Sequence, residues 1–292
     1  MLMRQRDWGL LLLLALLWGC SFLLMAISLE SIPVLTTAFS RLALAGVLLS
    51  IFVALKKESI TVDRQFLVEI SLLGLLRAAL PVALILWAQT RIESGVAGIL
   101  NSTSALFTLL VAHALTDNEK ITPNKLTGVI LGMTGVALIM GANAIKGLGS
   151  EVTGQLAMLG ATLSYGFANV YGRRFSSRSP AVSAAGMLLA GAVWILPLAA
   201  FSDWPIVQAP TPRSLIALVT LAALSTACAF VVWFKLIHSA GPTNTVLVTF
   251  LIPPIALFLG VVFLNESPEY SDFAGLLFIA LGLWVSQTKI QK

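Results

Sequence analysis

The chain has 292 residues, 58% of them hydrophobic and 11% charged, with a net charge of +5. A soluble protein of this length must keep its surface polar and has no room to hide so much apolar material, so an integral membrane protein is expected. The positive charge does not point to nucleic acid, because no Lys/Arg cluster is interleaved with aromatic residues.

A helix needs roughly 20 apolar residues to cross a bilayer core. In chain order, the apolar runs predict ten spans at 8–28, 33–55, 66–90, 95–115, 124–142, 154–172, 181–201, 213–236, 243–264 and 272–288. The first holds Leu17-Trp18-Gly19-Cys20, a faint likeness to a lipoprotein processing box. The bulky Trp before Gly-Cys and the apolar run past the cysteine favour a retained span. The second carries Arg41, expected to brace the fold. The third carries Arg77 near mid-depth, then Pro81 and Trp87. A basic residue inside a span is by default a functional hypothesis, and Arg77 is placed to attract a carboxylate or to bond freed backbone carbonyls.

The fourth span contains Asn101, Ser102, Thr103 and Ser104 in succession, then Thr108, with Asn101, Ser104 and Thr108 on one helical face. An Asn amide donates and accepts, so it can serve an ammonium or a carboxylate. The competing use of the hydroxyls is to bond back to their own helix carbonyls. In the fifth span Gly128-x-x-x-Gly132 allows close helix approach, either within the chain or in a homodimer through spans 5 and 10. The sixth presents Gln155, Met158, Thr162, Tyr165 and Asn169 on one face, which pairs through the repeat described below with Trp18 and Phe22. The alternative for this stripe is packing, with Asn169 bonded across a helix interface.

In the ninth span Pro253 and Pro254 interrupt the run Phe250–Gly260. They leave the carbonyls of Thr249 and Phe250 without i+4 donors, so the break should face protein or a watery cavity. This predicts a hinge or cavity wall at Pro253 and Pro254, likewise at Pro81 in span 3, with Thr249 at the substrate. The repeat described below sets the pair opposite Leu106-Phe107 in span 4, where no proline stands, so bending should be weaker in the first half than in the second.

Absences narrow the chemistry. No Asp or Glu falls at mid-span, and His113 and His238 lie near span ends, so a carboxylate proton relay has no obvious carrier. No catalytic constellation, ATP-binding loop or metal-ligand cluster is present. No enzyme activity, cofactor or metal is expected. Cys20 and Cys228 lie in apolar segments and offer no disulfide framework.

The two halves echo each other. Trp18-Gly19 matches Tyr165-Gly166, and Pro33 matches Pro180, at an offset of 147. Trp87 and Gly95 match Trp233 and Gly241 at 146; Asn118-Glu119, Gly128 and Gly135 match Asn265-Glu266, Gly275 and Gly282 at 147. The ordered series divides the chain into repeats at 1–146 and 147–292. Five spans is an odd number, so the second repeat enters the membrane from the other side, the inverted-repeat plan of secondary transporters. With the N-terminus inside, thirteen of the eighteen Lys and Arg fall in inside segments, three (Arg91, Lys146, Arg213) outside and two (Arg41, Arg77) within spans. The positive-inside rule therefore places both termini in the cytoplasm.

Leu17-Trp18-Gly19, the Asn101–Ser104 run followed by Leu106-Phe107, and the doubled Asn-Glu before Gly-rich spans together resemble the drug/metabolite transporter (DMT) superfamily, EamA-type branch. The resemblance covers essentially the whole chain. It implies an all-α membrane protein of ten transmembrane helices, built as two inverted five-helix repeats around a central cavity walled mainly by spans 1–4 and 6–9. It implies export or exchange of small metabolites by alternating access in the cytoplasmic (inner) membrane of a bacterium. Amino-acid exporters of the YddG kind look closest. The substrate-binding residues expected are Trp18, Arg77, Trp87, Asn101, Ser102, Ser104, Tyr165, Asn169 and Thr249. The alternatives on the same fold are a passive facilitator, or an exporter of drugs or phosphorylated metabolites.

Overall fold

The computed structural model describes residues 4–58, 63–116, 121–145, 149–175, 178–203, 209–240, 245 and 248–287. Asn118-Glu119, Gly241, Lys146 and the side chain of His238 lie outside the described residues. Among those described, the chain forms ten long helices. They are α1 (Gln5–Leu29), α2 (Val34–Leu55), α3 (Arg64–Ala88), α4 (Ser94–Leu115), α5 (Pro123–Ile145), α6 (Ser150–Tyr171), α7 (Pro180–Ser202), α8 (Pro212–Leu236, running on to Ala240), α9 (Val248–Leu264) and α10 (Tyr270–Gln287). Seven of these, α1–α5, α7 and α8, are long and apolar enough to cross a membrane, and α9 and α10 are shorter apolar helices. The remaining helix, α6, carries Gln155, Thr162, Ser164 and Asn169 along its length.

Helix starts follow the polar breaks. Asp63 accepts from the Phe66 N–H (2.6 Å) at the start of α3, and Thr211 and Ser179 cap α8 and α7, where Pro212 and Pro180 occupy the first turn. A proline costs nothing there, because its missing N–H is already without an intrahelical partner. The short connections force successive helices to run antiparallel. One end of the bundle therefore holds the start of α1, the loop of Asp63 and the loop of Arg178; Arg178 pairs with Asp63 at 3.7 Å, and Ser179 bonds Glu58. The other end holds the starts of α2, α4 and α8.

Two helices contain a π turn, at Leu75–Ala79 in α3 and Ala223–Cys228 in α8. A π turn widens the helix and displaces carbonyls from their usual donors. Hydroxyls act on both: Ser164 donates to the Leu76 carbonyl (2.7 Å), and Thr226 donates to the Leu221 carbonyl (2.9 Å).

The main helix pairs fall into matched sets. Adding five to each helix number turns α1–α9 packing into α6–α4, α1–α8 into α6–α3, and α3–α7 into α8–α2, whereas α2–α7, α4–α9 and α5–α10 map onto themselves. In the last pair the glycines cross over. Gly128 meets Gly282, and Gly135 meets Gly275, each against backbone. The Gly128/Gly132 spacing is thus used within the chain, Gly132 leaving room for Leu106. Outward faces stay apolar, with Leu12, Ile51, Val193, Phe258 and Trp284 exposed, as a lipid-facing surface requires.

The interruption of the helix falls in the half without the prolines. From Val248, α9 continues as helix through both Pro253 and Pro254. It is α4, which has no proline, that is interrupted at Ser102–Thr103. There the N–H groups of Ser102 and Thr103 donate three residues back, to Ile99 and Leu100, both at 3.1 Å. Their hydroxyls bond the same carbonyls at 2.6 and 2.7 Å. Back-bonding side chains, not a missing donor, tighten this turn.

Candidate functional site

A cavity of about 820 Å³ lies at the centre of the bundle. Its wall draws on α1–α4 and α6–α9, as expected, with Lys125 of α5 and Leu283 and Ser286 of α10 added at one end. The lining approaches the amino-terminal end of the bundle at Lys125 and Arg173. Toward the other end it is uneven: in α9 it goes no further than Ile252, about three turns before Leu264, and in α4 no further than Asn101, about two turns after Ser94, whereas Met25 of α1 and Ile85 of α3 lie about one turn from the ends of their helices.

One wall is aromatic. Trp18 of α1 meets Phe230 of α8 edge-on at 6.5 Å, and Phe230 meets Trp233 at 6.3 Å. Gly19 lets α1 approach α9 this closely, since a Cβ there would sit 2.8 Å from that of Ile255. The opposite wall is polar. The Arg77 guanidinium, carried on the α3 π turn, lies 4.7 Å from the Tyr165 ring centroid. Asn169 donates to Thr108 at 2.9 Å, and Thr108 donates to the Ser104 carbonyl. Asn101 faces the cavity with no hydrogen-bond partner among the described residues. Arg41 of α2 donates to Thr226 of the α8 π turn (3.1 Å) and to the Met25 sulfur (3.1 Å). Both π turns thus present a polar group to the same space, a common use of this distortion.

Of the residues singled out from sequence, Trp18, Arg77, Asn101, Ser104, Tyr165, Asn169 and Thr249 line the cavity. Ser102 does not: it is buried and bonded to its own helix. Trp87 lies outside the lining as well, with the Arg91 guanidinium 3.5 Å from its ring centroid. Pro81, Pro253 and Pro254 are also absent from the wall; the α9 lining comes from Val248, Thr249 and Ile252, on the turn before the prolines. In the α6 stripe, Gln155, Met158 and Thr162 are buried in packing, and only Tyr165 and Asn169 reach the cavity. Sequence reasoning missed Thr226, Phe230, Lys125 and Arg173, and favoured bracing over a functional role for Arg41. The signal for Arg41 was present, an arginine well inside an apolar span.

At the end opposite the N-terminus, carboxylates sit on helix N-termini. Glu266 accepts from the Ser94 and Gly95 N–H groups of α4 at 2.6 and 3.0 Å, and Asp203 accepts from the Thr36 N–H of α2 at 2.7 Å. An anion is favoured at such a terminus by the free N–H groups and the helix dipole. Asn265 sets up the first contact. Its φ of 55° stops α9 in the left-handed region that Asn tolerates, and the Glu266 N–H then returns to the Gly260 carbonyl (3.2 Å). Glycines at 95 and 260 leave the slot that the carboxylate fills. Beside it, burial and the charges of Glu266, Asp272 and Glu151 push the Glu93 carboxyl above its usual range.

The model of the EamA-like transporter family matches residues 8–141 and again 152–288. An uncharacterized transporter, YoaV of Bacillus subtilis, is 25% identical, over 93% of this chain and 93% of its own. A probable amino-acid metabolite efflux pump of Salmonella typhimurium is 23% identical, over 97% of this chain and 95% of its own. A crystal structure 20% identical in sequence superposes on 98% of both chains with a TM-score of 0.66, which establishes a shared fold. This chain, a helical membrane bundle around a polar and aromatic cavity, matched twice along its length by one family model, belongs to the EamA-like transporter family.

Proposed function

We propose that this protein is a secondary transporter that exports small metabolites, amino acids foremost, across the cytoplasmic membrane by alternating access. The observation that carries the reading is the 820 Å³ cavity, walled by eight helices and reaching Lys125 and Arg173 toward the amino-terminal end of the bundle. That is the size of a small-molecule site, and its aromatic wall facing a few hydrogen-bonding groups is the usual composition of one. The relative from Salmonella typhimurium, a probable amino-acid metabolite efflux pump, supports the substrate class. We further propose that residues 1–146 and 147–292 are inverted repeats, which the doubled family match, the two π turns and the matched helix pairs support. The positive-inside count puts the amino-terminal end of the bundle in the cytoplasm, so the cavity faces inward here and the carboxylate contacts close the outer side. Rocking of helix groups about the midplane site would then expose it outward.

The test is transport by purified protein in liposomes. Asn101→Ala removes an amide that faces the cavity, and one hydrogen bond of ~0.5–1.5 kcal/mol corresponds to a loss of about 2- to 12-fold in apparent affinity. Tyr165→Ala is expected to cost more, because it also removes the ring under Arg77, whereas Tyr165→Phe keeps that ring and should retain most of the rate. Uptake unchanged in both alanine variants would remove the cavity from consideration as the substrate site.

A further inference from the structure

We infer that the solute carried in this cavity is an anion, recognised by Arg41 and Arg77. The inference rests on the transport reading above and narrows its substrate class. The cavity wall holds four basic residues, Arg41, Arg77, Lys125 and Arg173, and among the described residues no Asp or Glu.

The two arginines are the informative ones, because each lies well inside an apolar span. A guanidinium at such depth is costly unless something compensates its charge. The protein supplies only neutral contacts. Arg41 meets a threonine hydroxyl and a thioether, and Arg77 lies over the Tyr165 ring. Neither forms an ion pair with a carboxylate among the described residues. Of the five N–H donors of each guanidinium, Arg41 commits two and Arg77 none to hydrogen bonds among those residues. What remains is a planar fork suited to a carboxylate or phosphate, held on each side of the cavity. Both arginines line the same cavity.

The geometry around them fixes orientation. Thr226 holds Arg41 from the α8 π turn, and the Tyr165 ring carries Arg77, so neither side chain is loose. Lys125 and Arg173 extend the positive field toward the amino-terminal end, where an anion would be drawn in. A zwitterionic amino acid offers one acid group, already offset by its ammonium, and leaves this excess of positive charge uncompensated. A solute with net negative charge matches it.

The experiment compares probes on the wild-type protein in detergent at fixed ionic strength: L-glutamate, succinate, glycerol 3-phosphate, L-leucine and L-lysine. Binding is read as the ligand-dependent shift of the unfolding midpoint, and transport as uptake into proteoliposomes. At least one anion is expected to bind tenfold or more tightly than L-leucine. The carboxylate and phosphate arms then show which acid group is used. Arg77→Gln should weaken the preferred anion at least tenfold and Arg77→Lys by less, with Arg41→Gln acting in the same direction. L-Leucine binding as tightly as every anion in the wild-type protein would overturn the inference, and needs no variant to fold. An Arg77→Gln protein that binds the preferred anion within twofold of wild type would overturn it too. Anion binding without uptake of any probe would leave anion recognition by Arg41 and Arg77 standing and overturn the transport reading instead.

Discussion

Replacing Gly275 by valine is expected to lower the unfolding midpoint of the purified protein by roughly 3–10 °C, through a loss of about 1–3 kcal/mol or more. A Cβ at Gly275 would lie 2.7 Å from the Gly135 carbonyl oxygen and 2.7 Å from the Ile139 Cδ1. The first of these is backbone, which cannot swing aside, so α5 and α10 must move apart. In a bilayer no hydrophobic effect draws two helices together, and close van der Waals contact is what holds them. Separation at this point therefore removes the force itself. Gly9→Val is the control, because nothing lies within 4 Å of a Cβ there. Thermal aggregation in detergent measures both, and equal midpoints for the two variants would show that α5–α10 packing contributes little.

The second large effect concerns the closed end. Glu266 receives two N–H donors from α4 at 2.6 and 3.0 Å. Hydrogen bonds to a charged group are worth ~1.5–3 kcal/mol, so Glu266→Ala should shift the balance of closed and open forms by about 10- to 150-fold. Glu266→Gln keeps an acceptor without the charge and should fall between. With Cys20 and Cys228 replaced by serine, an Asn101→Cys reporter in the cavity is expected to react with an impermeant thiol reagent added outside. In the Glu266→Ala background it should react at least ten times faster than with Glu266 intact. An unchanged rate would mean that Asp203 and the neighbouring contacts hold the end shut without it.

Much of the architecture was legible in one dimension, for a physical reason. In a bilayer each span must satisfy its own backbone, so apolar runs and helices coincide closely. The run at 33–55 became Val34–Leu55, and the run at 95–115 became Ser94–Leu115. A cavity residue on a polar face was legible where polarity has no other outlet, as at Asn101; Asn169 lines the cavity and also bonds Thr108 across the helix interface. Reading failed where a polar side chain could serve its own helix. Ser102 stands next to Asn101, yet its hydroxyl turns back to Ile99. It failed also at the prolines. A missing donor was taken to mark the wall, but α9 accommodates Pro253 and Pro254 without interruption, and the tightened turn falls at Ser102–Thr103 in α4.

The Asn-Glu pair at 265–266 shows the division most clearly. As a recurring dipeptide it was a marker without a mechanism. Only in three dimensions does Asn265 end α9 in the left-handed region and deliver Glu266 to the start of α4, a helix 171 residues away in sequence from Glu266 to Gly95. Membrane insertion and helix number follow from the sequence alone, because they depend on composition and periodicity, which are local; the family resemblance rests on motifs read in order along the chain. Which basic residues share one space was decided by tertiary structure. Arg41 and Arg77 share one cavity only because α2 and the π turns of α3 and α8 face it together, and no spacing along the chain encodes that convergence.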